Sequence, residues 1–439
     1  MRLNTPRPSA SLCACQHVLG AVLGGMLLSH FALAQQPSAE NDYQSSMVFS
    51  EAEEAEYLSR YEIAISRSRP RTSTPPVAAL PGTEDWYPLP AAQVAQRSIS
   101  AAAIEDAIAY AADNNSSALI VWRGGRVEAE KYFGDTTRSS LINSFSLAKP
   151  ITALAVGRAI ALGAIRSLDQ PAADYFEEWR DDPRRSKVLV RHLLDMRPGF
   201  LRQGSGEGPN AVMSRSFLHP RSDEILLREY PVVHEPGTRF EYNNAASAVV
   251  AILIERATGR KYREFVGTEI LKALGAPGGT VWVNRKKDGV AQAGCCIMLP
   301  AESYLRLGLL VLQEGRWEGK RLLSADYVRE MLTPTEENPY YGLGVYVAGR
   351  YTERRGWANP DLGLPQVLHS EPYLATDLVL FDGNMNQVVY IIPSQELVIL
   401  RTGRMPPRNE EREWDNAYLP NVIMRGIQRD KGESVPQPR

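Results

Sequence analysis

The sequence predicts an α+β protein whose sheet is assembled from distant parts of the chain, and three observations predict it. Two strand-like runs, "SALIVWR" and "RVEAEKYF", flank Gly124-Gly125. From Ser146 to about residue 275 the apolar spacing is mostly helical. Strand patterns return near the C-terminus in "QVVYII" and "LVILRTG". Strands at both ends with helices between them make one sheet only if the two ends meet.

The elements follow in order. Arg2 and Arg7 precede the apolar stretch "VLGAVLGGMLLSHFALA", which closes on Ala32-Leu33-Ala34 before Gln35, the order of a secretory leader. Cleavage is expected after Ala34, giving an exported, periplasmic or secreted protein. The alternative is an uncleaved anchor, but the segment is short for a span of about 20 residues and contains His30. Residues 35–95 read as an N-terminal extension. It holds a short helix in "SEAEEAEYLSRY", with Ser50 and Glu53 spaced as a capping box, followed by the Pro-rich linker "SRPRTSTPPVAALPG". The main domain spans 96–430. It opens with the helix "SAAAIEDAIAYAADN" and a hairpin at Gly124-Gly125. With 439 residues, 44% hydrophobic and 23% charged, and no internal repeat, the chain has the profile of a globular protein with a sizeable core.

Composition also excludes. Loss of Arg2 and Arg7 with residues 1–34, which carry no acid, moves the formal charge from −2 to −4, so nothing favours nucleic acid as a partner. No segment after the leader is long and apolar enough to span a membrane. Cys13 and Cys15 leave with the leader, and only Cys295-Cys296 remain, so there is no disulfide framework. Adjacent cysteines close only a strained ring, and two small buried thiols are expected there. His192, His219, His234 and His369 form no H-E-x-x-H and no Cys-x-x-Cys occurs, so no metal and no cofactor are expected. A G-x-S-x-G elbow is absent as well, which disfavours a Ser-His-Asp hydrolase.

The chemistry-bearing stretch is "INSFSLAKPITALAVGRAIALG", residues 142–163. A helix beginning near Ser146 puts Ser146 and Lys149 one turn apart on the same face, and Pro150 is tolerated in the first turn. A serine hydroxyl at the positive end of a helix, beside a partly desolvated lysine, is a nucleophile with its base. The bland reading is a helix cap beside a surface lysine. Farther on, "EPGTRFEYNNAASAVV" places Tyr242 and Asn244 at a loop-to-helix junction. There a tyrosine near an ammonium can pass a proton to a leaving group, or be a packed aromatic beside an asparagine cap. His192 and Asp195, in "RHLLDM", read as structural.

Ser146-Leu147-Ala148-Lys149 followed by Tyr242-Asn243-Asn244 resembles the S-x-x-K and Y-x-N pair of the serine β-lactamase and penicillin-binding-protein superfamily. The likeness is to its class C β-lactamase-like esterases and 6-aminohexanoate-dimer hydrolases in particular. "VLVRHLLDMRPGF", "PGTRFEYNNA", "LGLLVLQEGRWEGKRLLS" and "NQVVYIIPSQELVILRTG" are similar to that family too, in the right order over most of residues 96–405. The resemblance implies a β-lactamase/DD-peptidase-like fold: a roughly five-stranded antiparallel sheet flanked by helices, beside a helical subdomain at about 146–275. The site would lie in the crevice between them. It implies Ser146 as nucleophile, Lys149 as base, Tyr242 as proton shuttle, and Asn244 as a partner of the substrate amide or of the lysine. The oxyanion would take the N–H of Ser146 and another from a sheet strand.

The third family motif, K-T-G or H-x-G, is missing; Gly383-Asn384-Met385-Asn386-Gln387 stands in its place. The cation that usually holds a substrate carboxylate is therefore absent. Asn384 and Asn386 are candidate substrate-binding residues, Asn386 through its backbone N–H, or else a polar turn. The expected function is an exported serine hydrolase cleaving an ester or small linear amide through an acyl-enzyme on Ser146. The alternatives are a β-lactamase or D-amino-acid peptidase, and a silent relative that binds a peptide or cell-wall fragment.

Overall fold

Gly124 and Gly125 turn the chain between two strands, with φ of +52° and +91° and Arg123 paired directly with Arg126. The structure, a computed structural model, describes residues 43–65, 76–203, 208–356, 366–409 and 412–427. The leader read in residues 1–34 lies outside the described residues.

The elements that position the site begin with α1 (Glu51–Ile65), β1 (Val77–Leu80), α2 (Ala101–Asp113), β2 (Ser116–Arg123), β3 (Arg126–Tyr132) and β4 (Ile142–Asn143). Next come α3 (Ala148–Ala161), α4 (Asn244–Thr258), β5 (Gly279–Trp282), β6 (Ile297–Leu299) and α5 (Ala301–Leu312). The chain closes with β7 (Tyr346–Val347), β8 (Val379–Gly383), β9 (Gln387–Ile392), β10 (Leu397–Gly403) and α6 (Tyr418–Gly426).

The main sheet is antiparallel in the order β3-β2-β10-β9-β8-β7, so the early hairpin joins the late strands through the β2 to β10 pairing. It has six strands where about five are expected; the sixth, β7, is a two-residue edge against Val379 and Leu380. Every residue of β9 is buried. Helix α5 packs on β9 and β10, and α2 and α6 pack together. The Tyr390 hydroxyl donates to the Asn416 carbonyl (3.0 Å), just ahead of α6. These contacts make the fold α+β, with helices flanking an antiparallel sheet.

A second antiparallel sheet runs in the order β1-β5-β6-β4. Its strand β1 falls inside the run read as a linker. Proline and small residues give a local linker signature, but Val77–Leu80 pairs with Trp282–Gly279 and satisfies a sheet edge that local composition does not register. The extension is docked as well. Ser50 and Glu53 cap α1 reciprocally, Ser50 N–H to Glu53 Oε2 (2.8 Å) and Glu53 N–H to Ser50 Oγ (3.3 Å). Buried Arg60 donates to the carbonyls of Leu218 (2.9 Å) and Asn284 (2.8 Å), and Arg215 pairs with Glu54 (2.7 Å).

Helix α3 is buried from Ala148 to Gly157 without a break and packs on α4. A helix buried all round sits inside a domain, and among the described residues none is long and apolar enough to cross a membrane. Packing along α3 is tight: a Cβ on Gly157 would lie 2.3 Å from the Tyr327 ring, whose hydroxyl donates to the Ala153 carbonyl (2.5 Å). Gly157→Ala is therefore expected to destabilise the fold by about 1–3 kcal/mol through overpacking. Urea titration checks this; unchanged stability would mean that the Tyr327 ring moves freely.

Candidate active site

The site starts from a strained turn. Phe145 has φ +47°, a left-handed conformation that disfavours a side chain, and it opens a 3₁₀ turn, Phe145–Leu147, ahead of α3. Ser146 thus lies in that turn rather than in the α-helix itself, and Pro150 is the third residue of α3, where its missing N–H costs no internal bond. Ser144 anchors the turn to β6: its N–H donates to the Ile297 carbonyl (2.8 Å) and its Oγ accepts from the Ile297 N–H (3.3 Å).

The structure brings Ser146, Lys149, Tyr242 and Asn244 together. Lys149 Nζ lies 3.1 Å from Ser146 Oγ, 2.6 Å from Asn244 Oδ1 and 2.9 Å from the Gly294 carbonyl. It also sits 4.6 Å from the centroid of the Tyr242 ring. Lys149 is 3% exposed, and burial pulls its pKa from 10.5 down to about 7. As an ammonium it has three N–H groups for three acceptors. As a neutral amine it keeps two N–H groups for Asn244 and Gly294, and its lone pair faces the Ser146 hydroxyl. Both protonation states are satisfied in one geometry, so a proton can pass between Ser146 and Lys149 without rearrangement.

Asn243 caps α4 by accepting from the Ala245 N–H (2.7 Å), and that cap presents the next side chain, Asn244, to the lysine. Of the two partners considered for Asn244, the structure places the lysine against it. Burial raises the Tyr242 pKa, a hydrogen bond with Ser146 opposes that shift, and the charge of Asp382 reinforces it. Tyr242 is held from the side by Tyr341 (ring centroids 6.2 Å apart), which in turn packs edge-on against Tyr346 (4.8 Å).

Asn384 and Asn386 lie in the turn between β8 and β9, where Met385 and Asn386 have φ of +62° and +57°. Asn384 Oδ1 accepts from the Met385 N–H (2.8 Å). The carbonyls of Met385 and Asn386 face buried Arg401, at 2.6 and 3.0 Å from Nη1. The residue pressed against the serine turn is Gly383. A Cβ there would lie 2.5 Å from the Ser144 carbonyl oxygen, 2.8 Å from Leu147 N and 3.2 Å from Ser146 N. Only glycine allows that approach. In the sequence Gly383 heads the segment in the third motif's place but carries no assigned role there, and Gly294, which acts through its carbonyl alone, gives no signal.

His192 and Asp195 serve structure, as expected. His192 Nδ1 accepts from the Leu189 N–H (3.2 Å), and Asp195 pairs with Arg197 (2.7 Å). The cysteines are a correction: Cys295 and Cys296 are joined in a disulfide rather than left as two thiols. The chain bends there, with the N–H groups of both cysteines directed at the Gln292 carbonyl, and the bend brings adjacent side chains together. Among the described residues no group of three His, Cys, Asp or Glu side chains is placed to hold a metal ion.

Comparison with known proteins bears on family and fold. The family model described as Beta-lactamase matches residues 101–419. Esterase EstB of Burkholderia gladioli is 30% identical over 36% of this chain and 42% of its own length. The 6-aminohexanoate-dimer hydrolase of Paenarthrobacter ureafaciens is 26% identical over 55% of this chain and 64% of its own. The chain thus aligns with less than two thirds of either relative. The solved structure of EstCE1, a hydrolase with promiscuous acyltransferase activity, has a TM-score of 0.56 at 14% identity. That alignment covers 74% of this chain and 98% of the other, a likeness of fold.

The lysine environment makes a test that needs no substrate. A basic group whose folded pKa is lowered gives stability that is complete above its unfolded value and is lost as pH falls to the folded value. For Lys149 that window runs from 10.5 down to about 7. The unfolding free energy of the wild type minus that of Lys149→Met is expected to drop between about pH 10 and about pH 7 by on the order of 3 kcal/mol. Urea titrations of both proteins at the two pH values measure it, and a flat difference would mean that the folded lysine keeps its charge.

Proposed function

The chain belongs to the beta-lactamase family, and on that premise we propose that it is a serine hydrolase cleaving an ester or small linear amide through an acyl-enzyme on Ser146. The observation that carries the reading is the desolvated Lys149 amine, 3.1 Å from Ser146 Oγ. In acylation, neutral Lys149 takes the hydroxyl proton as Ser146 Oγ attacks the substrate carbonyl. The oxyanion is met by the Ser146 N–H and by a backbone N–H at the end of β8, where Gly383 touches the serine turn. Tyr242, beside both Ser146 and Lys149, relays the proton to the leaving alkoxide or amine. Water then attacks the acyl carbonyl with the same groups acting in reverse.

No lysine or histidine stands in the 382–387 segment "DGNMNQ", and this favours neutral esters and linear amides over β-lactams and D-alanyl termini, which carry a carboxylate. The leader pattern Arg2 to Ala34 supports the further reading that the enzyme works outside the cytoplasm, with a mature chain beginning at Gln35.

A fluorophosphonate is expected to give one adduct, on Ser146, by peptide mass spectrometry. Ser146→Ala is expected to lose the adduct and to slow p-nitrophenyl ester hydrolysis by on the order of 10⁴-fold or more, with its melting temperature kept. Ordinary turnover by a folded Ser146→Ala protein would refute the assignment, and an unreactive wild type would leave a silent binding relative. The acylation rate should fall as pH drops below about 7, where Lys149 gains the proton that blocks it. A p-nitrophenyl ester should be cleaved faster than a chromogenic cephalosporin; the reverse order would return the β-lactamase reading.

A further inference from the structure

Three consecutive carbonyls beside the site all face the serine-bearing segment. The Ala293 carbonyl accepts from Thr152 Oγ1 (3.0 Å), that of Gly294 from Lys149 Nζ (2.9 Å), and that of Cys295 from Ser144 Oγ (3.3 Å). A regular strand would alternate its carbonyls, so this rail needs an irregular backbone that is nonetheless fixed. It also contains a glycine, the residue that loses most freedom on ordering. The next carbonyl, of Cys296, leaves the rail to accept from Trp282 N–H in β5 (3.0 Å). The link between rail and sheet is the Cys295–Cys296 disulfide, which closes a small ring over a single peptide bond. Both cysteines are buried and pack with Trp282, Phe217 and Met298.

We propose that the Cys295–Cys296 disulfide is a positioning element for Lys149: its ring locks the Cys295–Cys296 peptide and so pins the Cys295 end of the neighbouring Gly294–Cys295 peptide, whose carbonyl turns the lysine lone pair toward Ser146. The inference rests on the reading of Lys149 as the base. A neutral amine has two N–H groups to place, and Asn244 Oδ1 and the Gly294 carbonyl take them. If the Gly294 carbonyl swings away, the amine is free to rotate and its lone pair leaves the hydroxyl. The serine, the substrate contacts and the fold all survive that change, so catalysis is lost rather than binding.

The test compares the oxidised full-length protein with two partners. One is the same protein reduced by a water-soluble phosphine, which is converted to its oxide as the disulfide becomes two thiols; thiol titration confirms the state. The other is the Cys295→Ser/Cys296→Ser double variant, which serves even if the buried disulfide resists the phosphine. Each is read by kcat and KM on a p-nitrophenyl ester across pH, normalised to the fluorophosphonate-titrated fraction, and by melting temperature. The expected result is a fall in kcat of about tenfold per titrated site with KM within about twofold. The acid limb should move to lower pH, since the ammonium has lost an acceptor, and reoxidation should restore the phosphine-treated protein. Unchanged kcat and pH profile per titrated site would overturn the proposal, even with a lower melting temperature, because that outcome describes a structural staple. Absence of a Ser146 adduct in the oxidised protein would overturn the base assignment itself, and the positioning role with it.

Discussion

Everything at the site depends on keeping one amine out of water. Burying an ammonium alone is costly, and a chain can hold one only by surrounding it with acceptors or by letting it lose its proton. This protein does both. Lys149 has three acceptors within hydrogen-bonding distance and a pKa brought down to about 7 by burial. The acceptors come from three places: the serine turn, the first residue of α4 and the segment that follows β5. The second sheet and the helical region must therefore be in place before the lysine can be buried with its acceptors, and the packing of α3 against α4 serves that end.

The serine is placed by a different means, backbone against backbone. The main sheet delivers the end of β8 to the Phe145–Leu147 turn at Gly383, close enough that no side chain fits between. Arg401, on the neighbouring end of β10 and fully buried, holds the turn after β8 through the carbonyls of Met385 and Asn386 and reaches back to Ser116 Oγ (2.8 Å) in β2. One guanidinium thus ties three strand ends together, including the first and last of the sheet in chain order. Its burial is affordable because its donors are taken by the backbone and by a hydroxyl.

Legibility in the sequence follows range. The α1 cap, the Gly124-Gly125 hairpin and the late strands were readable because their causes lie within a few residues. Ser146 with Lys149, and Tyr242 with Asn244, were readable because helix spacing and a cap position their own neighbours. The residues missed act over distance and without side-chain chemistry: Gly383 by having no Cβ, Gly294 by a carbonyl, Val77–Leu80 by completing a sheet edge. The cysteine pair was misread for a related reason. The ring strain of adjacent cysteines is local, while the bend at Gln292 that brings their side chains together is set by the strands on either side.

The strand beside the serine also bears on which substrates fit. Where family relatives carry a cation, this chain has Asp382 followed by a glycine and neutral residues, and the Asp382 charge adds to the burial that raises the Tyr242 pKa. The buried cation that Asp382 also influences is Arg355, whose terminal nitrogens donate to the carbonyls of Val347 (3.2 Å) and Ala348 (2.5 Å) under the Tyr340 ring. The terminal nitrogens of that guanidinium are thus taken up by backbone carbonyls under an aromatic face. A substrate carboxylate beside β8 would therefore meet the Asp382 charge with no lysine or histidine in residues 382–387 to receive it, while a neutral acyl group would incur no such cost. Burial, with that charge adding to it, keeps Tyr242 protonated, and a protonated phenol beside Ser146 can donate to a leaving group as soon as Lys149 holds the serine proton.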